Sequence, residues 1–410
     1  MSAGIFTSAG LIQDLAKKSF AAMITRLMPN GTAPLFGMTS MLPSDTAVQT
    51  EHGFFTKTML FPQLTIGAGG QLAGDTTFTV TSTTNILPGM IFRVDSTGEN
   101  IIINTVVSGT QVAVGRALGS VAAANIAAAV NLYQVGNAFE EGSIRPQSLI
   151  INPVRITNLT QIFRNTWAIT DSVRATMMIA GETNVAESRQ DCAAFHAADI
   201  EKNLFFGQKS QGTRNGQPFR TMDGLISIVG NLSYYPSYYA AVNVNTAGAT
   251  TNYTQLEGFL DPVFNQATDP KVANERVLFV GGSAKKVINN IGRLNGTYMI
   301  VDGQTSYGLQ FSTFKTARGT FRMIEHPLFN SNTSWSKMAI AVDLSTFRVA
   351  YLGDRKTQNK EFNMPDKTDM DVSDNGIDAV GGTLTTEMTC VIKNPPANSI
   401  VYNLTAAAAG

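Results

Sequence analysis

The sequence predicts an α+β chain with a small all-β domain inserted into a hairpin. Three observations carry this. Residues 184–207 give one long, clean helix signal in a chain otherwise rich in strands and loops. Residues 66–136 break into short strands at close spacing, with extended sequence on both flanks. After Asp223 helical and strand patterns mix.

The long helix is the element from which the rest is read. Asn184 with Glu187 makes a capping-box-like start, and Gly207 suits a C′ position with positive φ. Ala186, Ala193, Ala197, Ile200 and Leu204 share one face. That face is mostly small, so a sheet or a second backbone can approach it closely. An ordinary core helix would show the same pattern.

In chain order, residues 1–30 predict an amphipathic helix with Ile12, Ala16, Phe20, Met23 and Leu27 on one side, Ser8 as cap and Pro29-Asn30-Gly31 as stop. Such a helix needs a partner surface, on its own domain or elsewhere in an assembly. Residues 33–44 read as loop, with Pro34, Gly37 and Pro43. Residues 46–65 read as extended, and Pro62 marks an edge or an end. Composition shifts at Ile66, and 66–136 hold only five charged residues: Asp75, Arg93, Asp95, Glu99 and Arg116. Strands are expected at 77–81, 90–94, 101–107, 111–114 and 129–135, with 121–130 a loop or weak helix. Residues 147–170 are extended again. With the insert removed, 46–65 and 147–167 would pair as one long hairpin.

Residues 208–222 read as a mobile, Gly-rich polar loop. Beyond it the patterns give a helix at 254–268, a buried strand at 276–280, and a helix capped by Ser283 and running through Ile291. Strands follow at 298–301, 310–313, 321–324, 338–342, 347–352, 383–393 and 399–404, with 353–382 polar and the Ala-rich tail frayed.

Bulk properties bound the function. The 410 residues suffice for two or three domains, and 30 Lys+Arg balance 30 Asp+Glu. There is no basic excess to hold nucleic acid tightly. Charged residues are 15% of the chain, below the ~25% usual for soluble domains, and weak self-repulsion favours self-association. Cys192 and Cys390 make no disulfide framework and fit a reducing compartment. No signal peptide or bilayer-spanning run is expected.

Catalytic patterns are poor. His52, His196 and His326 are far from metal-ligand spacing, so no metal or cofactor is expected. Ser283-Ala284-Lys285-Lys286 contains S-x-x-K, and Lys315-Thr316-Ala317 approximates K-T-G. A strand, a glycine turn and a Ser cap explain the same residues. Glu140-Glu141 reads as a solvated turn, His196 as a partly buried polar contact, and Tyr234, Tyr235, Tyr238 and Tyr239 as packing.

The order of parts resembles the major capsid proteins of tailed phages with the Hong Kong 97 fold, and more narrowly the major head proteins related to Escherichia phage SU-ten. The residues carrying it are Glu140-Glu141-Gly142-Ser143, Asn158-Leu159-Thr160-Gln161-Ile162-Phe163, Ile200-Glu201-Lys202-Asn203-Leu204 with Gly207, Gly381 to Thr389, and Asn394-Pro395. In the insert, Pro88-Gly89, Gly98-Glu99 and Val114-Gly115-Arg116 add to it.

The resemblance implies an N-terminal arm and lead-in at 1–44, an E-loop at 45–65 and 137–167, the inserted β domain at 66–136, and a P-domain at 168–222 with spine helix 184–206. It further implies an A-domain at 223–344 and a return to the P-domain at 345–410. It implies no enzyme and no cofactor, but a virion subunit that assembles in the host cytoplasm. Pentamers and hexamers would close an icosahedral or prolate head around double-stranded DNA, contacted weakly and non-specifically. Portal and scaffolding proteins are the expected partners during assembly and procapsid maturation. Candidate inter-subunit contacts are Ile12, Phe20, Met23, Phe54, Phe55, Lys57, Phe61, Arg155, Phe163 and Arg164. In this reading Glu187, Arg189, Asp191, Glu201 and Lys202 on the spine helix face the lumen or neighbours. The competing reading is a β-rich phage fibre or adhesion protein with an Ig-like module at 66–136.

Overall fold

The computed structural model describes residues 33–57, 62–150, 152–176, 184–235, 241–266, 274–294, 300–306, 309–362 and 379–408. The expected helix at 1–30 lies outside them. The first elements are α1 (Pro34–Met41), β1 (Asp45–Ala47), β2 (Glu51–Thr56), β3 (Gln63–Thr65), β4 (Thr77–Thr79), β5 (Met90–Val94), β6 (Asn100–Ser108), β7 (Gln111–Gly115) and β8 (Asn131–Asn137). Next come β9 (Val154–Leu159), β10 (Gln161–Thr170), α2 (Asp171–Ala175), α3 (Asn184–Phe206), β11 (Ser210–Arg214), β12 (Gln217–Thr221), α4 (Leu225–Val229), β13 (Val244–Thr246) and α5 (Tyr253–Leu260). The rest are β14 (Glu275–Val280), α6 (Gly282–Leu294), β15 (Ile300–Ser306), β16 (Leu309–Lys315), β17 (Thr320–Glu325), β18 (Ala339–Val342), β19 (Phe347–Leu352), β20 (Gln358–Phe362), β21 (Ala379–Ile392) and β22 (Ser399–Tyr402). The fold is α+β and forms two compact units, one within Phe55–Arg155 and a larger body from the rest.

The smaller unit is a closed barrel. Its strands run β3-β8-β5-β6-β7-β4, and an antiparallel bridge from Ile66 to Val80 joins the ends. Period-two alternation builds it: Met90, Phe92 and Val94 point inward from β5, Ile101 and Ile103 from β6, and Val112 and Val114 from β7. Each such side chain contributes about 1.5–3 kcal/mol of burial. The barrel corrects the Ig-like reading, because its six strands make one ring and not two facing sheets. The tract 121–130 holds no helix; Ile126 inserts into the barrel core and bridges Gln71.

The long hairpin is also corrected. Among the described residues of the two arms, only β2 and β9 pair with each other. β1 joins β19 in parallel, β3 enters the barrel, and β10 pairs along β21 from Gln161↔Met388 to Thr170↔Ala379. The reason lies in β10: Phe163 and Trp167 alternate inward and need a covered sheet face, which a free hairpin lacks.

In the body, β1-β19-β21-β10 form one sheet, with β20 pairing beside β19 along the same edge of the long β21. A seven-stranded sheet runs β13-β22-β18-β14-β17-β16-β15. Its strand β14 is buried on both faces: Val277 and Phe279 enter one core, Leu278 and Val280 the other. β22 belongs to this sheet, and the expected fraying is corrected for the tail through Ala408, whose N donates to Thr251 O at 2.9 Å.

Other expectations need correction. Residues 34–41 are helical, because Pro34 sits in the first turn and the free backbone donors of that turn are satisfied from α3. Residues 210–221 form the hairpin β11–β12 around Asn215-Gly216, both at positive φ (52° and 74°) as its two-residue turn requires. The expected helix at 254–268 ends at Leu260 and continues as a 3₁₀ helix over Asp261–Gln266, which contains Pro262. Ser283 lies inside α6 rather than capping it.

The long helix has the expected span, but its inward face is rotated. Cys192, His196, Ala198, Ile200, Glu201, Leu204 and Phe205 are buried, whereas Ala193 is exposed and Ala197 only partly covered. Glu201, assigned to the outer side, is fully buried. Gly207 is not at positive φ. It is needed for close approach: a Cβ there would meet Asn203 O and Met222 O at 2.6 Å.

Candidate functional site

The residues that suggested chemistry do not assemble. Ser283 Oγ lies 3.1 Å from Ser336 Oγ, and Lys286, the lysine of the S-x-x-K pattern, is exposed. Among the described residues no group of three His, Cys, Asp or Glu could hold a metal ion. Burial pushes the Cys390 thiol up to about 12, with the Asp223 charge adding to it, and Cys390 Sγ donates to Asp223 O at 3.0 Å. Burial also raises Cys192. Neither thiol is disposed to act as a nucleophile. A shallow groove lined by Phe206, Ile226, Trp335, Met338 and Tyr402 carries no carboxylate, imidazole, thiol or amine. Tyr235 is a packing residue whose hydroxyl donates to Val229 O at 2.8 Å; Tyr238 and Tyr239 lie outside the described residues.

Among the polar nodes that tie the body together, three centre on Glu201, Glu387 and His196. At the first, Glu201 accepts from the backbone N of Leu35 at 2.8 Å and of Phe36 at 2.7 Å, so α3 caps α1. His326 Nε2 donates to the same carboxylate at 2.7 Å. Its tautomer follows from the other nitrogen, which accepts from Leu328 N at 3.2 Å. Phe329 stacks on the imidazole at 4.5 Å and Phe205 meets its edge.

The second node is Glu387 on β21. It lies 2.7 Å from Arg355, 3.4 Å from Arg220 and 3.1 Å from the Thr160 hydroxyl that donates to it. At the third, His196 faces Asn165 Oδ1 at 2.7 Å and Thr386 Oγ1 at 2.8 Å. Asn165 uses its amide on Asp199, so its oxygen faces the imidazole and Nδ1 carries the proton. Burial lowers the His196 pKa, with the Asp199 charge opposing, so the neutral ring is favoured.

The barrel has its own node. Arg116 donates from Nε and Nη2 to the two oxygens of Glu99 at 2.8 and 2.7 Å. It also donates to Leu72 O at 2.7 Å and Ala124 O at 2.6 Å, pinning both Gly- and Ala-rich loops. Burial would raise the Glu99 pKa, but hydrogen bonds from Arg116, Ala117 and Ala124 and the guanidinium charge outweigh it and hold it low.

The surface holds the remaining features. Residues 138–150 are exposed and outside every sheet, and they display Ile144 at 90% and Ile150 at 73% exposure. Of the candidate contacts, Phe55 is 69% exposed, Lys57, Arg155 and Arg164 are exposed, and Phe54 is half-buried. Phe163 is corrected: its ring is occupied in the chain's own core. Ile12, Phe20, Met23 and Phe61 lie outside the described residues. Sequence reasoning missed Glu201, His326, Glu387, Arg220 and the Glu99–Arg116 pair as organising residues. The one signal available was a charge set among buried positions, Glu201 between Ile200 and Leu204.

The family described as SU10 major capsid protein matches residues 4–405. The major capsid protein of Pseudomonas phage PaMx41 is 37% identical over 412 residues, covering 98% of this chain and 96% of that one. Among solved structures, a chain from Mycobacterium phage Cain aligns with TM-score 0.48 at 8% identity, covering 99% of both. The capsid of a native GTA particle aligns with TM-score 0.47 at 9% identity, covering 98% of both.

Proposed function

Because the chain belongs to the SU10 major capsid protein family, it is a structural virion component and not an enzyme, and we propose that its copies close as pentamers and hexamers into a shell around double-stranded DNA. The supporting observation is the exposed run 138–150, in which Ile144 is 90% and Ile150 73% exposed. Such apolar exposure is a cost in a lone soluble subunit and a contact surface in a shell. Net charge of zero lets many copies pack without large repulsion, and DNA is then retained by the closed wall.

In this reading β2, β9 and 138–150 belong to the E-loop, with the barrel as a peripheral stabiliser between capsomers. The sheet containing β21, together with α3, is the P-domain. The seven-stranded sheet, now including β22, is the A-domain. Portal and scaffolding proteins act as partners during assembly. Among the described residues no helix is long and apolar enough to cross a membrane.

Negative-stain microscopy of the purified chain tests this. Uniform shells are expected from the natural sequence, and soluble subunits without shells from the Ile144→Asp, Ile150→Asp double variant. A monomer or trimer from the natural sequence would overturn the shell reading. Normal shells from the variant would remove the run 138–150 from the contact surface.

A further inference from the structure

The hairpin β11–β12 stands apart from both large sheets, and residues 210–219 are exposed. The bonds that hold it lie at its base. Lys209 N donates to Asp223 Oδ1 at 2.7 Å, Met222 N to Gln161 Oε1 at 3.0 Å, and Arg220 Nη2 to Glu387 Oε1 at 3.4 Å. A two-stranded hairpin is marginal in water without further cover, so its tip opens more readily than the sheets of the body.

At the tip the register Arg214↔Gln217 leaves Asn215 and Gly216 as a two-residue loop, at φ 52° and 74°. Both are exposed, and nothing lies within 4 Å of the place a Cβ would take on Gly216. The backbone nitrogen that follows Asn215 is therefore open to water, with no side chain of its own residue over it. Two other described asparagines share the positive φ without the rest. Asn85 (φ 65°) precedes buried Ile86, whose branched side chain crowds its nitrogen. Asn403 (φ 61°) precedes buried Leu404, and its amide nitrogen donates to Ala247 O at 3.2 Å. The remaining Asn-Gly pairs, at 30–31, 295–296 and 375–376, lie outside the described residues.

We propose that Asn215 is a self-modification site, at which the Gly216 nitrogen attacks the Asn215 side-chain amide and converts it to aspartate and isoaspartate. Hydroxide takes the Gly216 N–H proton. The nitrogen lone pair forms a bond to Asn215 Cγ, the Cγ–Nδ2 bond breaks, and Nδ2 leaves as ammonia after taking a proton from water. The product is a cyclic imide. Water opens it at Cγ to give aspartate, or at the main-chain carbonyl carbon to give isoaspartate. The closed turn fixes the peptide between the two residues, so ring closure waits on the opening of the tip. Asp-Gly suits the same turn as Asn-Gly and leaves the hairpin in place. Isoaspartate carries the chain through its side-chain methylene, which lengthens the loop by one backbone atom and breaks the Arg214↔Gln217 register. Either product adds one negative charge beside Arg214 to a chain whose formal net charge is zero. A virion component is made once and persists, so slow chemistry of this kind accumulates in it.

The test incubates the purified full-length chain in mildly alkaline buffer and maps its peptides by mass spectrometry. The peptide carrying residue 215 is expected to lose its amide at a rate that rises with hydroxide concentration, and to become a substrate for an isoaspartate-specific methyltransferase. A synthetic peptide of residues 208–222, which has no folded hairpin to open, sets the upper rate. An intact Asn215 in the full chain under conditions that convert the peptide overturns the proposal. Amide loss that gives aspartate without isoaspartate is direct hydrolysis and overturns it too. As a second measurement, amide hydrogen exchange over residues 210–219 is expected to be faster in the aged natural chain than in the fresh one, and unchanged in fresh Asn215→Asp. Unchanged exchange in a converted chain overturns the effect assigned to isoaspartate. The measurement reads the chain whether or not it forms particles, so it stands apart from the shell reading.

Discussion

The barrel and the body each bury a carboxylate, and they satisfy it over very different spans of chain. Glu99 is held by Arg116, Ala117 and Ala124, all within 25 residues. Glu201 is held by Leu35 and Phe36, 166 and 165 residues away, and by His326, 125 away. The barrel can complete its node once neighbouring strands meet. The body must bring three remote segments together first, and ordering those segments costs more chain entropy. The comparison teaches that the barrel is a locally specified unit, whereas α1 is held in place by the assembled body.

Four expected outcomes break or sharpen this contrast. The largest effect belongs to Glu201→Leu, which leaves two backbone N–H groups and His326 buried without their acceptor. It should cost the body about 3–5 kcal/mol. Both tryptophans, Trp167 and Trp335, lie in the body, so their fluorescence during urea unfolding reads it separately. Hydrogen exchange of β5 and β6 reads the barrel and should not move. A common shift in both would erase the division.

Next comes Arg116→Met. It strands Glu99 and frees two loops, costing about 2–3 kcal/mol. Here exchange in the barrel should accelerate while tryptophan fluorescence holds its midpoint.

A smaller effect is expected from pH. His196 has a lowered pKa in the folded state, so between that value and its unfolded value near 6.5 the unfolded chain binds more protons. Body stability should therefore fall as pH drops below about 6.5. Glu99 also has a lowered pKa, but its contribution is complete above the ordinary carboxylate value of about 4.3 and is lost only as pH falls through the lower folded value. Acid should thus reach the body before the barrel. His196→Gln should flatten the first slope, and an unchanged slope would assign it to another group.

The smallest effect is Ala193→Leu, which should stay within about 0.5 kcal/mol because the position is exposed. Ala198→Leu, on the buried face, should cost about 1–3 kcal/mol by overpacking. The reverse order would restore the originally expected face.

Legibility followed the same division. Strand alternation marks β5, β6 and β7 within one residue of their observed ends, because period-two burial is a local pattern, whereas β4 and β8 differ by two residues and β3 joins the barrel instead of a hairpin arm. The hairpin β11–β12 is legible too, in Asn215-Gly216, although the polar, Gly-rich composition around that turn signal reads as loop. The contact surfaces were only partly legible. Phe55 is exposed as a contact residue must be, while Phe163 is spent on the core, and nothing local to either aromatic tells them apart.

The sequence alone determined the α+β class, the inserted β domain, the span of the 184–206 helix and the resemblance that the family match bears out. Tertiary structure decided which face of that helix turns inward, that β10 leaves the hairpin for β21, that β22 joins the seven-stranded sheet, and that Glu201 is a buried anchor. The physical reason is range. Periodicity and turn chemistry act over a few residues and are written where they act. The partner of a strand edge or a carboxylate more than a hundred residues away is set only when the chain closes on itself.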